Sequence, residues 1–272
     1  MNYTDGVREL IWNYRIDFDP VGIRFVFDDS EKDNLLITHK AKSRLTLCQH
    51  ITIARQAGYS LFMEPDACLC KNAQLILGWR QLDKEADTRY HLRYACNPEH
   101  ALEIAKNKPK LDFGTCKGVY VAPLDVFDNT ELPAPHVIYI MCVPFQALYI
   151  LNDYMAATEK LSLSSFQTPN SAMCGGSVWC FQQNSANMNT MCPGSKASGK
   201  TEMSYVNVFI PGIQFLDTIN VLKKRCERSG GPSLLGKGGT WPGLERCAGC
   251  KTLTLKQLSP PVRNLYPQKD TN

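Results

Sequence analysis

The chain has 272 residues, 44% hydrophobic and 21% charged, with a formal net charge of +4 at pH 7. That is the balance of an ordinary globular protein with ample length for one core. The longest apolar runs, Val119 to Leu124 and Val137 to Phe145, are far shorter than a membrane span needs. The 30 basic residues are scattered, and the two dense runs, Lys106 to Lys110 and Lys223 to Arg228, read as solvated helix ends, which argues against nucleic-acid binding.

In chain order, residues 6 to 14 read as an amphipathic helix through Val7, Leu10, Ile11 and Tyr14. Asp19-Pro20 breaks the chain, Val21 to Phe27 reads as a strand, and Asp28 to Lys42 as a charged loop. Thr46, with Gln49 three places on, carries a capping-box signature for a helix that Gly58 would stop. Its apolar stripe is Leu47, Ile51, Ala54 and Ala57. Tyr59 to Met63 is a short strand, the stretch after Cys70 is helical, and Pro98 opens a helix to Lys106. Val119 to Leu124 and Val137 to Met141 read as central strands and Pro144 to Met155 as a helix. Ser171 to Gln182 is ambiguous, Tyr205 to Ile210 is a strand, and Pro211 opens a helix through Phe215, Leu216, Ile219 and Leu222. The expected architecture is one α+β domain over residues 1–228, with a mixed central sheet flanked by helices. Residues 229–272, rich in Gly and Pro, form an irregular C-terminal arm suited to oligomer contacts.

Twelve cysteines are the outlying feature. Met1 to Asp5 begins no signal peptide, so a cytoplasmic setting is expected, where clustered cysteines mean metal, catalysis or redox work rather than disulfides. Four stand out. Cys48 falls at the second position of its helix, where the dipole favours thiolate. Cys70 precedes a helix, Cys174 precedes Gly175-Gly176, and Cys192 precedes Pro193-Gly194. Unpaired N–H groups at such positions stabilise negative charge on sulfur. Brought together, the four would hold a 4Fe–4S cluster or a Cys₄ zinc ion equally well. Ligation by three alone would leave an open iron able to act as a Lewis acid. Cys68, Cys96, Cys116, Cys142, Cys180 and Cys226 read as core. Cys247 and Cys250 form half a metal knuckle without a partner pair.

Gly194-Ser-Lys-Ala-Ser-Gly199-Lys200-Thr201 fits the phosphate-loop formula, but the polar stretch before it makes a poor buried strand, and a strand rather than a helix follows. A surface turn is the expected structure, and nucleotide binding is not.

Asp19-Pro20-Val21-Gly22-Ile23-Arg24-Phe25, Leu45 to Gln49 with Ala54-Arg55 and Gly58, and Cys70 seven places before Leu77-Gly78 begin an ordered series of short motifs. It continues through Val121-Ala-Pro123-Leu124, His136 to Ile140, Pro144, Gln146-Ala147, Cys192-x-Gly194 and Phe209-Ile-Pro211-Gly212. The series resembles a domain-of-unknown-function family of archaea and anaerobic bacteria over roughly residues 5–225, with Lys196 standing where that family's turn would carry arginine. The resemblance carries no activity, substrate or catalytic residue. The expectation drawn from the cysteines is a 4Fe–4S protein of an anaerobe, ligated by Cys48, Cys70, Cys174 and Cys192, in electron transfer or reductive chemistry with an unidentified redox partner or small-molecule substrate. The alternative is a non-enzymatic binding or assembly module, zinc-stabilised or metal-free.

Overall fold

The computed structural model describes residues 1–160, 171–199 and 204–229. The arm, with Cys247 and Cys250, lies outside the described residues, as do Lys200 and Thr201.

The first helix, α1 (Tyr3–Tyr14), leads into β1 (Val21–Val26) and the single turn α2 (Asp29–Lys32). Next come α3 (Leu47–Ala57), β2 (Leu61–Met63), α4 (Lys71–Ile76), α5 (Lys84–His91) and α6 (Pro98–Lys106). Then β3 (Gly118–Pro123) and β4 (Val137–Cys142) precede α7 (Pro144–Thr158) and α8 (Ala172–Gln183). The described chain closes with β5 (Asn187–Thr190), α9 (Pro193–Gly199), β6 (Val206–Pro211) and α10 (Gly212–Ser229).

The six strands form one sheet in the order β2-β3-β1-β4-β6-β5. The α+β class is as expected, but every pair in the sheet is antiparallel rather than mixed. Among the described residues the isolated bridge Leu45–Cys68 is the parallel exception. The near-continuous apolar runs of β3 and β4 come from burial on both faces, because helices cover the sheet on each side. Period-two alternation then sorts their side chains. Tyr120, Ala122, Ile138, Ile140, Cys142, Val208 and Ile210 face one core with Leu10, Tyr14, Ile150 and Tyr154 from α1 and α7 and Phe215 and Ile219 from α10. Val119, Val121, Val137, Tyr139, Met141 and Phe209 face the other with Leu47 and Ile51 of α3, Ala73 and Ile76 of α4, and Met173 and Val178 of α8.

Three local features shape the surroundings of the cysteines. In the stretch that fits the phosphate-loop formula, residues 193–199 are the helix α9 rather than the expected surface turn. The ambiguous stretch 171–182 is α8, buried on nearly all sides, which is why it shows no amphipathic period. Its Gly176 allows a close approach: a Cβ there would stand 2.3 Å from Phe209 and 2.6 Å from the Asn189 amide. Finally, β5 is a polar edge strand, its buried Asn187 and Asn189 donating to the α8 carbonyls of Gly176 (3.3 Å) and Ala172 (2.8 Å).

Candidate functional site

Each of the four singled-out cysteines stands at the start of a helix on one face of the sheet. For α3 the capping box forms as its sequence implies: Thr46 Oγ1 accepts from the Gln49 N–H (3.2 Å), and Gln49 Oε1 accepts from the Thr46 N–H (2.8 Å). Gly58 closes the helix in the left-handed conformation with φ 69°. This fixes Cys48 in the first turn. Cys70 is the N-cap of α4, its Sγ accepting from the Ala73 N–H at 3.4 Å. Cys192 stands in the same relation to α9, its Sγ accepting from the Ser195 N–H at 3.3 Å, while its own N–H donates to Ser195 Oγ at 3.1 Å. Cys174 is the third residue of α8.

Packing of α8 on both α3 and α4, and of α9 along α3, carries these starts toward one another. Thr52 Oγ1 bonds both the Cys48 carbonyl (2.9 Å) and the Gly199 carbonyl (2.6 Å), which fastens the end of α9 to the first turn of α3. Gly199 approaches so closely that a Cβ would lie 3.1 Å from that of Cys48. Cys48 comes within electrostatic range of Cys192, Cys174 and Cys70, and Cys174 within range of Cys70 and Cys192. Burial pushes the Cys48 thiol well up, and Cys192, Cys174 and Cys70 push it further. Burial likewise raises Cys174, with Cys70 and Cys192 adding to the effect and Lys108 and the Gly175 N–H opposing it. The expectation of a favoured thiolate at Cys48 is thus reversed in the free thiol, because desolvation outweighs the helix dipole. A bound metal would reverse it again, since its charge deprotonates a coordinating thiol. Cys174 and Cys192 are buried, whereas Cys48 and Cys70 keep part of their surface in solvent. Among the described residues no three His, Cys, Asp or Glu side chains are set to hold a single metal ion.

A lysine completes the group. Lys108 is 3% exposed, against the expectation that Lys106 to Lys110 is a solvated helix end. Its ammonium donates to Asn72 Oδ1 at 2.7 Å. Burial pulls its pKa down to about 8, while Cys174, Asp87, Cys70 and Cys192 pull it up. Nothing in the sequence distinguishes Lys108 from its neighbours Lys106 and Lys110; only the return of the chain after α6 beneath α4 and α8 buries it. Nearby, His91 is fully buried, its Nδ1 2.6 Å from the Asp87 carbonyl and its Nε2 without a hydrogen-bond partner among the described residues.

The remaining cysteines divide cleanly. Cys68, Cys116, Cys142, Cys180 and Cys226 are buried in the cores, as expected. Cys96 is exposed, because it falls in the polar link between α5 and α6 rather than on an apolar face. No helix among the described residues is long and apolar enough to cross a membrane. No curated protein and no solved structure matches the chain. The family model of DUF169, described as uncharacterised ArCR, matches residues 9–220, a span that includes all four cysteines and Lys108. The chain therefore belongs to the DUF169 family.

Proposed function

We propose that the protein holds a 4Fe–4S cluster through Cys48, Cys70, Cys174 and Cys192 and serves electron transfer or reductive chemistry. The observation that carries this reading is the packing of α8 on α3 and α4 and of α9 on α3, which brings four cysteine-bearing helix starts together on one face of the sheet. The alternative, a zinc-stabilised module on the same residues, fits less well. A tetrahedral zinc with Zn–S bonds of about 2.3 Å gathers its sulfurs within roughly 4 Å of one another. A cubane takes one thiolate per iron and spreads its ligands wider. Four ligands from four separate helix starts, rather than from one contiguous knuckle, suit the wider set.

When bound, such a cluster accepts and releases one electron at a time. The chain's own part is to hold and bias it. The Ala73 and Ser195 N–H groups bond the sulfurs of Cys70 and Cys192, and the Lys108 ammonium lies within electrostatic range of Cys174, Cys70 and Cys192. Both effects offset negative charge, so both favour the reduced state and raise the potential. The partly exposed Cys70 leaves an edge open to a redox partner or small substrate.

Protein purified under strict exclusion of oxygen should be brown, with broad absorption near roughly 400 nm and about four iron per chain. Cys174→Ser and Cys192→Ser should each lower the iron content, whereas Cys96→Ser should not. A colourless protein with one zinc per chain would assign the same thiolates to a structural zinc site. A colourless, metal-free protein from anaerobic cells would end the reading.

A further inference from the structure

A second unusual group lies about two helical turns along α3 from Cys48. Arg55 occupies the sheet-facing side of the helix, is 6% exposed, and stacks its guanidinium 4.4 Å over the Phe18 ring. Its Nη1 points to the Met141 sulfur at 2.7 Å. Nε and Nη2 are buried with no hydrogen-bond partner among the described residues. Buried ionic groups are normally paired, and a guanidinium left with two open donors is costly. Burial accordingly pulls the Arg55 pKa down, with only the Tyr139 hydroxyl favouring the charged form.

The two open donors are not an arbitrary pair. Nε and Nη2 share one edge of the guanidinium plane, where their N–H bonds run side by side and match the two oxygens of a carboxylate. Arg225 displays the match in this same protein: its Nε donates to Asp153 Oδ1 and its Nη2 to Asp153 Oδ2, both at 2.8 Å. Arg55 presents the same edge with no carboxylate on it among the described residues. Its surroundings are Phe18, Met141 and Tyr139, and the Tyr139 hydroxyl is tied up donating to Asn207 Oδ1 at 2.9 Å. Arg55 and Cys48 share α3 and lie on the same face of the sheet.

We infer that Arg55 binds a small monocarboxylate, its two oxygens on Nε and Nη2 and its apolar body against Phe18 and Met141. Binding stands on Arg55 alone; naming the carboxylate as the substrate class rests on the cluster reading. A diacid or polyol would bring further polar groups among an aromatic ring and a thioether, where they would go unpaired.

Calorimetric titration of the full chain with acetate, propionate, benzoate and inorganic phosphate tests this, with chloride as the ionic-strength control. The expected result is saturable, mutually competitive binding of carboxylates, weakened by about 30-fold or more in Arg55→Met. Arg55→Lys should weaken it comparably, because an ammonium is a point charge without the fork. No saturable carboxylate binding by folded wild-type protein overturns the inference, as does binding that survives Arg55→Met or binding of phosphate alone. Iron content is read separately on the same samples, so failure of the carboxylate and failure of the cluster are told apart.

Discussion

The face of the sheet opposite the thiols carries the clearest energetic prediction. Tyr14, Asp153 and Arg225, from α1, α7 and α10, meet there: Arg225 makes its two-pronged bond to Asp153 and donates to the Tyr14 hydroxyl at 2.7 Å, and that hydroxyl also bonds Asp153. Asp153 is 2% exposed, so Arg225→Met would strand a buried carboxylate with the Tyr14 hydroxyl alone. Breaking a buried pair by removing one partner costs about 3–5 kcal/mol. The Arg225 side chain is 29% exposed, so water can offset part of the loss, and about 3 kcal/mol is expected. For a folded domain of this size that is a fall in Tm of roughly 6–12 °C. Adding Asp153→Leu removes the stranded charge and should recover most of the loss, giving a coupling of about 2 kcal/mol or more in a double-mutant cycle. Urea unfolding followed by circular dichroism measures all four corners. An Arg225→Met cost below about 1 kcal/mol, or no recovery in the double variant, would refute the view that this network is desolvated and mutually dependent.

Three other outcomes are expected. His136 accepts the Phe25 N–H on Nδ1 at 3.1 Å and has Arg24 Nη1 3.4 Å from Nε2, so burial and then Arg24 lower its pKa from 6.5 to about 4, with Glu31 opposing. The unfolded chain therefore takes up a proton near pH 6.5 that the folded chain refuses until about pH 4, and stability should fall by about 2–3 kcal/mol as pH drops through that window. His136→Gln should flatten the slope in pH-dependent urea titrations, leaving the smaller contributions of His50 and His91, whose pKa values burial also lowers. Gly176→Ala should cost about 1–3 kcal/mol by driving a methyl into Phe209, and by shifting α8 it should lower metal content as well, readable by thermal melting beside iron analysis. Lys108→Met should lower the reduction potential of the iron-loaded protein by something on the order of 100 mV in spectroelectrochemistry; an unchanged potential would show that the ammonium does not face the metal.

Local chemistry was readable wherever it was enforced by neighbours in sequence. Thr46 with Gln49 announced the start of α3 and Gly58 its end, and Cys48 followed from them. Readability failed where tertiary burial inverted the local signal. The helix α5 has no apolar stripe, because its inward residues are Asp87 and His91, satisfied or held by Arg80 and the helix backbone rather than by hydrocarbon. The strand β5 looked too polar to pair, since nothing local reveals that Asn187 and Asn189 would find α8 carbonyls. Arg55 did leave a trace. It stands four residues after Ile51, in the sector assigned to apolar residues, while Ala57, placed in the stripe by its character, is exposed. A charge on the buried side of a helix is the kind of inconsistency between pattern and residue that a functional site produces.

The two faces of the sheet differ in how they treat buried polar groups, and the difference bears on function. Around Tyr14, Asp153 and Arg225 every charged donor edge has its acceptor, and Gln146 adds bonds from α7 to the carbonyls of Tyr14 and Arg15, both at 2.8 Å. That side holds three helices on the sheet. On the thiol side, by contrast, lie Arg55 with two open donors, His91 with an open ring nitrogen, and two thiols raised by burial and by one another. One further unsatisfied buried group, Ser60 Oγ, falls outside the thiol side, so the contrast is one of charged and ring-nitrogen groups. On the proposed reading, Arg55 and His91 on this side are hydrogen-bond-donating groups arranged before an anionic partner arrives, so that binding need not reorganise them. Ligands, not sequence repair, should therefore relieve the cost. Metal loading and carboxylate should each raise Tm, and together they should raise it by the sum or more, because both act on α3. If filling the thiol site left the melting of α3 untouched, the open groups would be ordinary packing defects and the functional reading of this face would fall.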